Sequence, residues 1–194
     1  MATEFDEDNF RNQVRGCLWA YFWQIKTNST FFFQSFSELE REVALEHRNP
    51  ERVFRLLTEI LHNAAGISHL LWPGQARSSS RAKMAQIRGE LLLAELGLTG
   101  EEHFLRDRSG RDHLAHLDER IDEWVIASRQ HNIAAMNIGP KGRVVSGMES
   151  REIFELFDPD IFVFYFRGDE YDIRRLKLGV TDVSSRAEVL LNRL

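Results

Sequence analysis

Apolar residues recur at the spacing of an α-helix over the first two thirds of the chain. A first helix begins near Asp8 and carries its apolar residues on one face, at Phe10, Val14, Cys17, Leu18, Tyr21 and Ile25. The polar stretch Thr27 to Thr30 predicts a break. A second stripe, Phe32, Phe36, Leu39 and Val43, then predicts a helix that ends around Arg48.

Three further helices follow from cap and stop signals. Asn49 before Pro50 predicts a helix start, and Pro73-Gly74 ends that third helix after about Leu71. A fourth helix runs from Ser80 to about Leu96, before Gly97. A fifth runs from near Arg111 to about Ser128, and its apolar residues predict a buried seam at Leu114, Leu117, Ile121, Trp124 and Val125.

The last third of the chain changes pattern. The runs Ile161 to Phe166 and Tyr171 to Leu176 flank a turn and predict a β-hairpin. The capping-box spacing of Ser185 and Glu188 predicts a short final helix. The expected fold is therefore mainly α. Residues 1–130 form a helical bundle, and residues 131–194 form a β-hairpin element and terminal helix packed on it.

Two tryptophans in the first helix lie off its apolar face. Trp19 and Trp23 are one turn apart, so they require a second neighbour, which is either another helix of the chain or another subunit. Packing within the chain is the more common outcome, and a partner subunit is the alternative.

Composition narrows the classes of function. The 194 residues carry a formal net charge of -5, so the field of the whole molecule repels polyanions. The stretch from Gly74 to Gly89 reverses this balance with four cations and no acid. Such a run is usually a solvated loop and helix face, and the alternative is a surface that meets phosphate. The candidate RNA-binding residues on that alternative are Arg77, Arg81 and Arg88 of this stretch, and Arg108 further along the chain.

The cysteine content and the length of the apolar runs indicate where in the cell the protein is expected. The single Cys17 cannot form an internal disulfide, and the acidic start is unlike a secretory or mitochondrial leader. The apolar runs are much shorter than the roughly 20 residues that span a bilayer. We expect a cytoplasmic protein with no membrane contact.

Residues 110–124 carry the candidate chemistry. Asp112 and His116 are four residues apart on a helix, so the carboxylate can orient the imidazole and raise its basicity. Arg111 stands at the predicted helix start, where backbone N–H groups favour an anion such as phosphate. The same charged residues are also typical of weak ion pairs on a solvent-exposed helix surface, which need not take part in catalysis.

The order Arg111, Asp112, three residues, His116 resembles the signature of the HEPN superfamily of helical-bundle proteins. The following Leu117 to Arg120 is similar to the His-Phe-Asp-Glu-Arg continuation of small bacterial proteins. The resemblance implies a metal-independent endoribonuclease that dimerises so that two motifs line one cleft. Together with Trp19 and Trp23, it leads us to expect a homodimer. It also implies that His116 helps to deprotonate the attacking 2'-hydroxyl, Arg111 stabilises the phosphorane, and Asp112 positions His116 or the substrate. The products would be a 2',3'-cyclic phosphate and a 5'-hydroxyl.

Two other classes of function compete with a ribonuclease. A metal enzyme has little support, because Glu59 and His62 form a single copy of a spacing that di-iron bundles use twice. No metal or other cofactor is therefore expected. A non-catalytic HEPN-like interaction or assembly protein is the alternative, with an antitoxin or another protein as its partner and Trp19 and Trp23 as its surface.

Overall fold

The computed structural model describes residues 5–74, 79–106, 117–128, 134–144, 152–167 and 169–193. The described chain is mainly helical with a small four-stranded sheet, which confirms the expected fold class at that level.

Four helices make up most of the N-terminal half. They are α1 (Glu7–Gly16), α2 (Leu18–Val43), α3 (Pro50–Leu71) and α4 (Ser80–Glu95). The side chains of Asp6, Asn49 and Ser79 cap α1, α3 and α4 by accepting hydrogen bonds from backbone N–H groups. The predicted bounds of the third helix are confirmed, and those of the fourth agree to within one residue.

The bounds of the first two predicted helices were wrong. The chain departs from helical geometry at Cys17 and then continues through residues 27–30 as one helix of 26 residues. The hydroxyls in this stretch do not break it, because they bond to their own helix. Ser29 Oγ donates to the carbonyl of Ile25 over 2.8 Å, and Thr30 Oγ1 donates to that of Lys26 over 2.9 Å.

The second half begins with a 3-10 turn (Phe104–Arg106) and helix α5 (Leu117–Ala127). The strands are β1 (Asn137–Ile138), β2 (Leu156–Asp158), β3 (Val163–Phe166) and β4 (Asp169–Asp172), with the short helix α6 (Lys141–Val144) between β1 and β2. The sheet order is β1-β2-β3-β4. The first pair is parallel, and the other two pairs are antiparallel.

The predicted hairpin is confirmed only in its core, as β3 and β4. Residues 173–176 were predicted as strand, but they begin α7 (Ile173–Leu191). Asp172 ends β4 and also caps α7, because its carboxylate accepts from the N–H of Arg175 over 2.8 Å. The predicted start at Ser185 was therefore wrong, and Ser185 lies inside a 19-residue helix.

Phenylalanines join the sheet to the helices in one core. Phe36 of α2 lies 5.8 Å from Phe162, and Phe54 of α3 lies 6.1 Å from Phe164, measured between ring centroids. Helix α7 contributes Ile173, Val180, Val183 and Ala187 to the same cluster. The sheet and α7 therefore share one hydrophobic core with the N-terminal helices.

Candidate functional site

The residues predicted to carry catalysis, Arg111, Asp112 and His116, lie outside the described residues, as do Arg77 and Arg108. The structure describes the two elements that flank the catalytic candidates. The 3-10 turn Phe104–Arg106 precedes them, and α5 follows them directly at Leu117.

The preceding turn is held against α3 and α7. Ser68 Oγ donates to the carbonyl of Leu105 over 2.6 Å in a buried contact. The ring of His103 stacks on that of Trp72 with a centroid distance of 5.1 Å and an interplanar angle of 19°. A Cβ atom built on Gly179 of α7 would lie 3.1 Å from Leu105 Cγ, so this turn packs closely on a residue that lacks a side chain.

His103 has both ring nitrogens engaged. Its Nδ1 accepts from the N–H of Leu105 over 3.2 Å, and its Nε2 lies 3.4 Å from Asp182 Oδ2. This arrangement fits the neutral imidazole with its proton on Nε2. Burial lowers the pKa of His103, although the Asp182 carboxylate opposes that effect. His103 is therefore a group that positions the turn, since neither nitrogen is available to act as a base.

Asp182 belongs to a wider charged network. Arg186 Nε donates to Asp182 Oδ1 over 2.9 Å, and its Nη1 donates to the carbonyl of Leu96 over 3.0 Å at the end of α4. The same guanidinium lies 3.7 Å from Glu101. Helix α7 thus secures the segment from the end of α4 to the 3-10 turn, which leads into the candidate catalytic residues.

Helix α5, on the other side, lies at the surface. The predicted seam was wrong at Ile121 and Val125, which are 43% and 49% exposed, and Ile126 is 85% exposed. Periodicity identified an apolar face correctly, but the described residues provide little to cover it. Trp124 is half-buried against the core. Leu114 and the side chain of Leu117, the other two positions of the predicted seam, lie outside the part of the chain that the structure describes.

A buried carboxylate anchors the end of α5. Glu152, only 8% exposed, accepts from Ser128 Oγ over 2.9 Å and from Trp124 Nε1 over 3.3 Å. Arg167 Nη1 donates to Glu123 over 2.8 Å from the turn between β3 and β4. These contacts fix the C-terminal half of α5 relative to the sheet.

The described cations of the basic stretch differ in their surroundings. Arg81 is exposed. Arg88 donates from Nη2 to the carbonyl of His69 over 3.0 Å and from Nε to that of Leu70 over 3.3 Å, so it caps the end of α3. Burial lowers the pKa of Arg88. Lys83 pairs with Glu7 over 3.0 Å. Of these three, Arg81 is the side chain best placed to meet a phosphate.

The described residues contain neither a metal-holding cluster nor a membrane-spanning helix. No three His, Cys, Asp or Glu side chains among them meet in a way that could hold a metal ion. Glu59, half of the single di-iron-like pair, instead accepts from Ser35 Oγ over 2.9 Å and pairs with Arg55. No described helix combines the length and the apolar character needed to cross a membrane.

Sequence reasoning missed His103, Glu152 and Arg186. His103 meets Asp182 across 79 residues of chain, and Glu152 meets Ser128 across 24. No local pattern marks such pairs. Their neighbours in sequence do not indicate burial, since His103 follows Glu101 and Glu102, and Glu152 follows Arg151.

Comparison with known proteins found no matching family model, no matching curated protein and no matching solved structure.

Proposed function

We propose that this protein is a HEPN-like, metal-independent endoribonuclease of the toxin or defence type in which Arg111 and His116 act on the RNA backbone. The observation that supports it best is the exposure of α5, the helix that directly follows the motif. Glu119, Ile121, Asp122, Glu123, Val125, Ile126 and Ala127 are all exposed along it. An RNA strand needs this access to the adjoining segment.

The flanking anchors give this segment fixed ends. The contacts of His103 and Ser68 hold the chain before residues 107–116, and Glu152 holds α5 after them. General acid–base catalysis requires groups held within hydrogen-bond reach of the reacting atoms. Fixed ends on rigid elements support such positioning.

The proposed reaction is an intramolecular transesterification. His116 accepts the proton of the ribose 2'-hydroxyl, and the resulting oxygen attacks the adjacent phosphorus. The bond from phosphorus to the 5'-oxygen breaks, that oxygen takes up a proton from water, and a 2',3'-cyclic phosphate remains. His116 then returns its proton to the solvent. Arg111 stabilises the negative charge of the phosphorane, while Asp112 positions His116 or the substrate. Electrons and protons balance without a metal or redox cofactor.

The test compares RNA cleavage by purified wild type, Arg111→Ala, His116→Ala and the double variant. Each single substitution should remove most of the rate, and the double variant should lose little more, because both residues act on one transition state. Cleavage should persist in a metal chelator. His113→Ala is the matched control, because it removes a neighbouring histidine that is not part of the motif. Full cleavage by His116→Ala would refute the assignment.

A non-catalytic HEPN-like interaction protein is the second candidate, and acidic charge favours it. Glu119 and Asp122 are exposed on the helix that follows the motif, where acidic charge repels an RNA backbone. On this alternative the purified wild type cleaves no RNA and causes no toxicity when overproduced. Its alanine variants at Arg111 and His116 then behave as the wild type does.

A further inference from the structure

An aromatic ridge runs along the outer face of α2. Trp19, Trp23, Thr27 and Phe31 follow one another at intervals of four residues, so they form one of the rows along which helices pack. Trp19, Trp23 and Phe31 are 57%, 63% and 50% exposed. Three large aromatic side chains on one ridge form a contiguous apolar patch rather than scattered surface residues.

A groove lies beside this ridge on the same helix. It has a volume of about 210 Å³ and is lined by Trp23, Lys26, Thr27, Thr30 and Phe31. It therefore separates the aromatic ridge from the neighbouring row, which contains Lys26 and Thr30. Symmetric dimers need one patch that provides both the protrusion and the recess, and this patch has both.

The charge of the face favours an identical surface as its partner. Charged residues make up 28% of the chain, yet Lys26 is the one charged residue between Cys17 and Ser37. Lys26 is itself paired with Glu188 of α7. Two copies of this face can therefore meet without uncompensated like charges, and aromatic side chains with few charges are typical of interface cores.

We propose that α2 of a second copy packs antiparallel on this face, with the twofold axis crossing the ridge midway between Trp19 and Phe31, at the level of Ile25 along the helix. This position makes the two ridges overlap along their whole length. Trp23 then enters the partner subunit's groove, and Trp19 contacts the partner's Phe31. The assignment stands on α2 alone and does not depend on the proposed ribonuclease activity.

The three aromatic side chains supply part of the area that a stable dimer needs. A covered aromatic side chain buries roughly 150–250 Å², so three that are half or more exposed supply on the order of 300 Å² per copy. A standard interface needs about 800 Å² per partner. Exposed Gln24, Thr30 and Gln34, with half-buried Ala20 and Thr27, extend the same face toward that area.

The first test is the oligomeric state at micromolar chain concentrations, measured by sedimentation equilibrium. Wild type should be a dimer, and Trp23→Lys should be a monomer. A central hot-spot residue contributes roughly 30-fold in affinity. Because Trp23 occurs twice in a symmetric dimer, the dissociation constant should rise on the order of 1000-fold. Leu178→Lys is the matched control, since it adds the same charge at an apolar residue of α7 that is 70% exposed.

Leu178→Lys should remain a dimer, and both variants should keep the wild-type circular dichroism spectrum. A monomeric wild type would overturn the proposal. A dimer that survives Trp23→Lys would also overturn it, because association would then use another surface. Neither result would bear on RNA cleavage, which the Arg111 and His116 variants test separately.

The second test measures the relative direction of the two α2 helices, from the distance between spin labels on Cys17, the single cysteine of the chain. Cys17 is exposed and lies eight residues from Ile25, or about 12 Å along the helix at 1.5 Å per residue. With helix axes 8–10 Å apart, the two Cys17 Cα atoms should be roughly 25 Å apart in the antiparallel dimer and about 10 Å apart in a parallel one. Double electron–electron resonance between spin labels on the two Cys17 side chains distinguishes these distances. The shorter distance would refute the proposed orientation.

Discussion

Replacement of His103 by alanine should destabilise the fold by about 1.5–5.5 kcal/mol. The side chain is 9% exposed and makes three contacts that alanine cannot replace. Because it holds the turn that leads into residues 107–116, the same substitution should also lower RNA cleavage if the proposed function is correct.

The magnitude comes from those contacts. The stack on Trp72, with centroids 5.1 Å apart, should contribute about 0.5–1.5 kcal/mol. Loss of the acceptor at Nδ1 leaves the N–H of Leu105 without that bond, which should cost about 1–3 kcal/mol. The pair with Asp182 is 3.4 Å long and Asp182 is 41% exposed, so it should add about 0–1 kcal/mol.

Two partial variants separate these contributions. In His103→Asn, the side-chain oxygen takes the place of Nδ1 and can accept from Leu105, but the stack is lost. In His103→Phe the stack on Trp72 is kept and the acceptor is lost. Each should therefore be more stable than His103→Ala.

The assay is urea unfolding followed by circular dichroism, with stability taken from the midpoint and slope. His62→Ala is the control, because His62 is an exposed histidine of α3 and its loss should change stability by no more than about 0.5 kcal/mol. A His103→Ala variant as stable as that control would refute the reasoning. Equal losses in all three His103 variants would show that neither the stack nor the acceptor stabilises the fold by itself, because His103→Phe keeps the first and His103→Asn keeps the second.

Two further predictions concern pH and the basic stretch. Burial lowers the pKa of His103 below its ordinary value of about 6.5, so below that pH the unfolded chain binds a proton that the folded chain resists. Stability measured by urea unfolding should therefore be fully retained above about pH 6.5 and fall as the pH drops below it. His103→Phe should lack this pH-dependent loss of stability. An identical pH profile in the wild type and in His103→Phe would contradict the prediction. Arg88→Ala should lower stability by about 1–3 kcal/mol because two carbonyls at the end of α3 lose their donor. Arg81→Ala should leave stability unchanged but reduce the salt dependence of RNA binding by a slope of about 0.7, and an unchanged slope would exclude Arg81 from the RNA contact.

Much of the helical fold was predictable because local chemistry determines it. Asn49 and Pro50 signal a helix start without any help from the rest of the chain, and the structure places α3 there. The predicted break at residues 27–30 was wrong because Ser and Thr are tolerated inside a helix when their hydroxyls bond to the carbonyls of that helix. Ser29 and Thr30 bond to carbonyls four residues earlier, and the helix persists.

The sheet and the surroundings of the site were less predictable because they depend on distant partners. Strand β1 has two residues and β2 has three, which is too short to show an alternating pattern. The seam at Ile121 and Val125 shows a related limit, since periodicity identifies an apolar face but not whether something covers it. Arg111, Asp112 and His116 remain a prediction from sequence.

The position of α7 in the chain has a consequence for folding during synthesis. Phe36 of α2 packs under Phe162 and beneath the cation of Lys177, whose Nζ lies 4.1 Å from the Phe36 ring centroid, so part of its cover is made more than 120 residues later. A chain still on the ribosome can pair α2 with α3, but this side of α2 stays open until residues 173–191 have emerged. A nascent chain that lacks residues 173–191 therefore leaves this side of α2, Phe36 included, exposed to water, and exposed apolar surface of this kind promotes aggregation.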